Sequence, residues 1–107
     1  MNLADARRIA LALPEAAEAP HFDFTSFRVR GKIFATSPPD GLYLHVFVDD
    51  DAREQALELH PGFIEKLWWG KKVAGLRVTL GKASNAVVKE LLANAWRRKA
   101  PKSLATK

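Results

Sequence analysis

The sequence predicts an α+β domain: an antiparallel β-sheet with N- and C-terminal helices packed on one of its faces. Three observations lead there. Apolar residues recur at helical spacing near both ends of the chain, and the runs between them alternate with the two-residue period of strands. Gly, Pro and Asp cluster where those runs break. At 107 residues the chain suits one domain, set at residues 1–100, followed by a basic, flexible tail over 101–107.

Asn2 can cap a first helix whose stripe is Leu3, Ala6, Ile9, Ala10 and Leu13, with Asp5 in the first turn and Pro14 as the stop. Residues 15–20 read as a connector, and Ala19 to Asp23 as a short strand or an extended lead-in. Ser26 to Thr36 is a β-hairpin turning at Gly31. Alternation puts Phe27, Val29, Phe34 and Thr36 on the core side and Arg28, Arg30, Ile33 and Ala35 on the other. Ser37-Pro38-Pro39-Asp40-Gly41 is a strong turn.

Leu42 to Val48 is the clearest strand. One face is aliphatic (Leu42, Leu44, Val46, Val48) and goes under the helices; the other carries Tyr43, His45 and Phe47, lightly covered or open to solvent. Asp49-Asp50-Asp51 marks a helix start, Ala52, Ala56, Leu57 and Leu59 its buried stripe, and His60-Pro61-Gly62 its end. Phe63 to Trp69 has no clean period and fits a helical turn or a strand, with Trp68, Trp69 and Gly70-Lys71-Lys72 in an exposed lobe or wing, although Trp68 also reads as core rather than ligand platform. Gly75 to Leu80 is a strand with Leu76, Val78 and Leu80 inward. Ser84 or Asn85 then caps a last helix with the stripe Val87, Val88, Leu91, Leu92, Ala95, Trp96.

There is no cysteine, which excludes a disulfide framework, thiolate metal ligands and a Cys nucleophile and fits a reducing compartment. The N-terminal stretch lacks the apolar core of a secretory signal, and no run is long enough to cross a bilayer, so a cytosolic, non-membrane protein is expected. The net charge of +5 is unevenly spread. Residues 1–96 balance, 12 basic against 12 acidic, and the surplus comes from Arg97, Arg98, Lys99, Lys102 and Lys107. Residues 40–65 hold one Arg against seven acids, and residues 66–107 hold eleven bases against Glu90. If that asymmetry survives folding, one face attracts polyanions.

Ala12-Leu13-Pro14-Glu15, Phe27-Arg28-Val29-Arg30-Gly31-Lys32-Ile33-Phe34-Ala35 and His60-Pro61-Gly62 occur in that order. In these motifs, which span most of the chain, the sequence resembles the MmcQ/YjbR-like family of small bacterial proteins. It departs where the family tends to have a tryptophan after a glycine: here Leu76 follows Gly75. The resemblance implies a frataxin-like (CyaY-like) sandwich and DNA binding of double-wing type.

The nucleic-acid reading takes Arg28, Arg30 and Lys32 on one hairpin, and Trp69, Lys71, Lys72, Arg77 and Lys82 on a second wing. Cations spaced along a backbone neutralise phosphates, and Trp69, Tyr43 or Phe47 can stack on an unpaired base. Simple outward alternation on solvated strands accounts for the same cations. The alternative is a protein-interaction or small-ligand module using the face of Tyr43, His45 and Phe47. His21, His45 and His60 sit on separate elements with no metal-ligand spacing, and Asp49 to Asp51 fit a helix start, so no metal or cofactor is expected. No nucleophile motif, phosphate loop or helix-turn-helix spacing is present, so catalysis and major-groove reading are not expected. A monomer is favoured.

Overall fold

A computed structural model describes residues 1–105, and the chain folds as a six-stranded antiparallel sheet backed by helices. The elements are α1 (Leu3–Leu11), β1 (Ala16–His21), β2 (Phe24–Val29), β3 (Lys32–Ser37), β4 (Tyr43–Val46), α2 (Asp50–Leu59), β5 (Ile64–Trp69), β6 (Lys72–Thr79), a 3-10 turn (Leu80–Lys82), α3 (Asn85–Lys99) and α4 (Lys102–Ala105). Strand order is β1-β2-β3-β4-β6-β5.

The caps follow the sequence. Asn2 and Asp5 form a reciprocal capping box on α1, Asp49 caps α2 through the Ala52 amide, and Ser84 caps α3 through the Val87 amide. Partners across the sheet share a face. The row Phe27, Ala35, Val46 and Leu76 therefore lies on one side, with Leu44 and Val78 beside it. Ala6 and Ala10 of α1 and Val88, Leu92 and Ala95 of α3 close this side into a fully buried core. Trp96 completes it, its indole N–H donating to the Pro14 carbonyl at 2.9 Å at the end of α1.

Several expectations change. The pairing shifts from Phe27↔Ala35 to Arg28↔Ile33, so Phe34 is an extra residue in a bulge. Ala35 thereby joins the core side and Thr36 pairs with His45 on the other, the reverse of unbroken alternation. The loop Arg30-Gly31 has φ of 51° and 80°, the two left-handed residues of a tight hairpin turn. The Ala/Glu/Pro connector is a full strand, β1; as an edge strand it tolerates Pro20. Residues 64–69 are a strand because they bond to β6 along its whole length. Leu42 and Leu59 are 60% and 61% exposed rather than inward, lying just outside their elements' packed stretch or at its end. Trp68, which suited either the wing or the core, is 56% exposed and so belongs to the wing. Within the stretch 101–107, Lys102–Ala105 form α4, whose Leu104 is buried, and residues 106–107 lie outside the described residues.

Candidate functional site

The helices cover one face of the sheet, and the other is open. Its residues follow from register: Ser26, Thr36, His45 and Arg77 form one row, with Arg28 and Ile33 in the next. A groove of about 530 Å³ crosses this open face. Ile33, Thr36, His45 and Phe47 line its floor, and His21 and Phe24 stand at the β1–β2 side. Leu67, Trp68, Trp69 and Ala74 of the β5–β6 hairpin stand at the other, and Lys99 enters from the end of α3. Consecutive strand residues normally point to opposite faces, yet Leu67, Trp68 and Trp69 all border the groove. The bulge between Leu67 and Trp68, which leaves Ala74 unpaired, twists the hairpin and accounts for it.

The hairpin projects because β4 is short. β4 pairs only as far as Val46↔Leu76, whereas β5 continues to Trp69↔Lys72. Four residues of β6, Lys72 to Gly75, thus run past the end of β4, roughly 13 Å at strand rise. They leave at Gly75, where a Cβ would sit 2.4 Å from the Val46 carbonyl oxygen. Successive antiparallel pairings make β2, β4 and β5 run the same way. The turns at Arg30-Gly31 and Gly70-Lys71 therefore lie at one end of the sheet, about three strand spacings or ~14 Å apart on a flat sheet. The C-terminus of α3 reaches that end too: the Arg98 guanidinium donates to the carbonyls of Phe47 and Val48 at 2.8 and 2.7 Å.

This topology divides the predicted residues. Lys32, Lys71, Lys72 and Trp69 come together at the hairpin end, and Trp69 is 81% exposed. The three lysines make no ion pair among the described residues. Arg30 is also there, but its guanidinium grips Glu15 in a two-pronged pair at 2.6 and 2.9 Å. Arg28 is turned back along β1, donating to the Ser26 hydroxyl and the Pro20 carbonyl. Arg77 lies 3.7 Å over the Tyr43 ring and 3.5 Å from Glu65, a contact too poorly aligned to be a hydrogen bond. Lys82 follows β6 and so sits at the far end of the sheet.

Of the aromatic face, His45 and Phe47 line the groove, while Arg77 covers Tyr43. Burial, and then the Arg77 charge, push the His45 imidazole below its ordinary pKa, so it is neutral near pH 7, with one donor and one acceptor nitrogen. The acids of α2 stand behind the sheet, on the core side by β5, although Asp49 starts at the hairpin end, where Asn94 holds it. Among the described residues no group of three His, Cys, Asp or Glu could hold a metal ion. None of their helices is long and apolar enough to cross a membrane.

Sequence reasoning missed Lys99, Trp68, Phe24 at the side of the groove and the floor residues Ile33 and Thr36. Phe24 was readable, two and four residues before outward Ser26 and Arg28. Thr36 was hidden by the bulge, and Lys99 by the packing of α3.

Helices on one face, an uncovered groove on the other and two hairpin turns at one end define a small open-faced α+β sandwich. The chain belongs to the YjbR family, whose model matches residues 11–98. The fold is similar to the crystal structure of Deinococcus radiodurans protein DR2400, family-model domain DUF419, at 23% identity and a TM-score of 0.79. That likeness covers 98% of this chain and 86% of the other. No curated protein matches. Leu76, where the chain departs from the family's tryptophan, keeps its pairing with Val46.

Proposed function

We propose that this YjbR-family chain is a DNA-binding module, a cytosolic monomer without catalysis, that contacts phosphates at the hairpin end of its sheet. The single observation that supports the reading is the gathering of Lys32, Lys71 and Lys72 at one end, beside exposed Trp69. Each phosphate neutralised by a lysine releases counterions, so such binding weakens steeply with salt. Lys32→Ala, Lys71→Ala and Lys72→Ala together are expected to weaken binding to mixed-sequence DNA about equally for all sequences. They should also flatten the slope of log affinity against log salt by roughly one unit per lost contact. Absence of binding at low salt, or a slope that the triple variant leaves untouched, ends this reading.

A second reading, a small-ligand module using the His45 and Phe47 face, is favoured by the groove itself. Its volume falls within the ~300–1,000 Å³ of small-molecule sites. Calorimetric titration with small aromatic acids, in the absence of DNA, separates the two.

A further inference from the structure

We infer that the groove is a seat for unpaired bases, which makes the chain selective for single-stranded over double-stranded DNA. This deepens the proposed function and rests on it. Cations at hairpin tips give no preference for a single strand, because a duplex packs about twice the phosphate charge into the same length. The groove does. It is an apolar trough with aromatic walls, Phe24 on one side and Trp68 and Trp69 on the other, over Phe47. A duplex keeps its base faces stacked inside, so it can offer this trough only sugar and phosphate edges. A strand with free bases offers flat apolar faces that stack on such rings with little regard to sequence.

Two further observations fit the occupant. Charge complements it: Lys99 lines the groove, and Lys71 and Lys72 lie at the tip of the hairpin that forms its wall. A base in the trough thus leaves its phosphates among lysines. His45, held neutral by burial and Arg77, presents a nitrogen donor and an acceptor rather than a second fixed charge, and Thr36 adds a hydroxyl beside it. Both sets of polar groups suit the edge of a base. The tryptophans also explain themselves in this way. Trp68 and Trp69 are 56% and 81% exposed, a cost to the folded state that a stacked base removes.

The test uses three probes by fluorescence anisotropy at fixed low salt: a short oligothymidylate, an abasic deoxyribose-phosphate strand of the same length, and a mixed-sequence duplex. The oligothymidylate is expected to bind at least about ten-fold more tightly than the abasic strand and the duplex, and to quench tryptophan fluorescence. Trp68→Ala with Trp69→Ala, both at exposed positions, should abolish that advantage while leaving abasic binding nearly unchanged. Lys71→Ala with Lys72→Ala should weaken all three probes alike. An oligothymidylate that binds no more tightly than the abasic strand, or less tightly than the duplex, overturns base seating but leaves phosphate contact standing. Failure of every probe to bind overturns both. As a fourth probe, an oligouridylate of the same length that binds more tightly than the oligothymidylate overturns the choice of DNA.

Discussion

Phe22 holds a φ of 57° at the tip of the β1–β2 turn and is 91% exposed. A left-handed backbone costs an L-residue with a side chain about 1–2 kcal/mol, and little packing here offsets it beyond an edge contact with His21 at 4.9 Å. Phe22→Gly is therefore expected to raise stability by about 0.5–1 kcal/mol, read from the urea midpoint. His45 sets a pH dependence. Its folded pKa lies below the ordinary 6.5, so below that value the unfolded chain binds a proton that the fold refuses. Stability is complete above pH 6.5, falls as pH drops below it, and levels once the folded pKa is passed. The groups facing it are Arg77, Phe24 and, more weakly, Asp40. In His45→Phe that part of the pH slope should vanish from thermal melts between pH 7 and 5.

Among the elements, β6 shows how one residue sets a larger shape. A Cβ at position 75 would meet the Val46 carbonyl at 2.4 Å and the Phe47 ring at 3.2 Å, and backbone oxygen cannot move aside cheaply. Gly75→Ala should cost about 1–3 kcal/mol in denaturant titrations, the usual range for overpacking, and displace the hairpin that walls the groove. The helices were the most legible elements: in α3 five of the six stripe residues are buried, because a long regular helix averages out local exceptions. The strands were legible in kind but not in phase. One extra residue, Phe34, exchanged the faces of Ala35 and Thr36, and nothing local marks a bulge there. β5 was ambiguous for a related reason. As an edge strand in a projecting hairpin it has little core to bury, so its residues show no alternation, and its tryptophans face solvent.

Across the whole molecule, the fold class and the family motifs were readable, while the groove was not. Six strands had to be put in order before His21, His45, Trp68 and Lys99, drawn from four distant stretches, could border one space. The charge asymmetry was readable only in part. The eight candidate residues became a cluster of three lysines and a tryptophan, plus three arginines already engaged and one lysine at the far end. Arg–Glu and Arg–aromatic contacts depend on pairings that sequence spacing does not reveal, as Arg30 with Glu15 and Arg77 with Tyr43 illustrate.

The shortness of β4 also has a consequence in time. Between Leu67 and Gly75 the chain is held by a two-stranded ladder alone, and such ladders are barely stable without neighbours. Amide protons there should exchange with deuterium through local opening, far sooner than those of Leu44, Val46, Leu76 and Val78, which wait for global unfolding. Mass spectrometry of a pulse-labelled sample would show a quick block and a slow block meeting at Gly75. A single uniform rate across β6 would mean that the projecting arm is as rigid as the sheet it leaves.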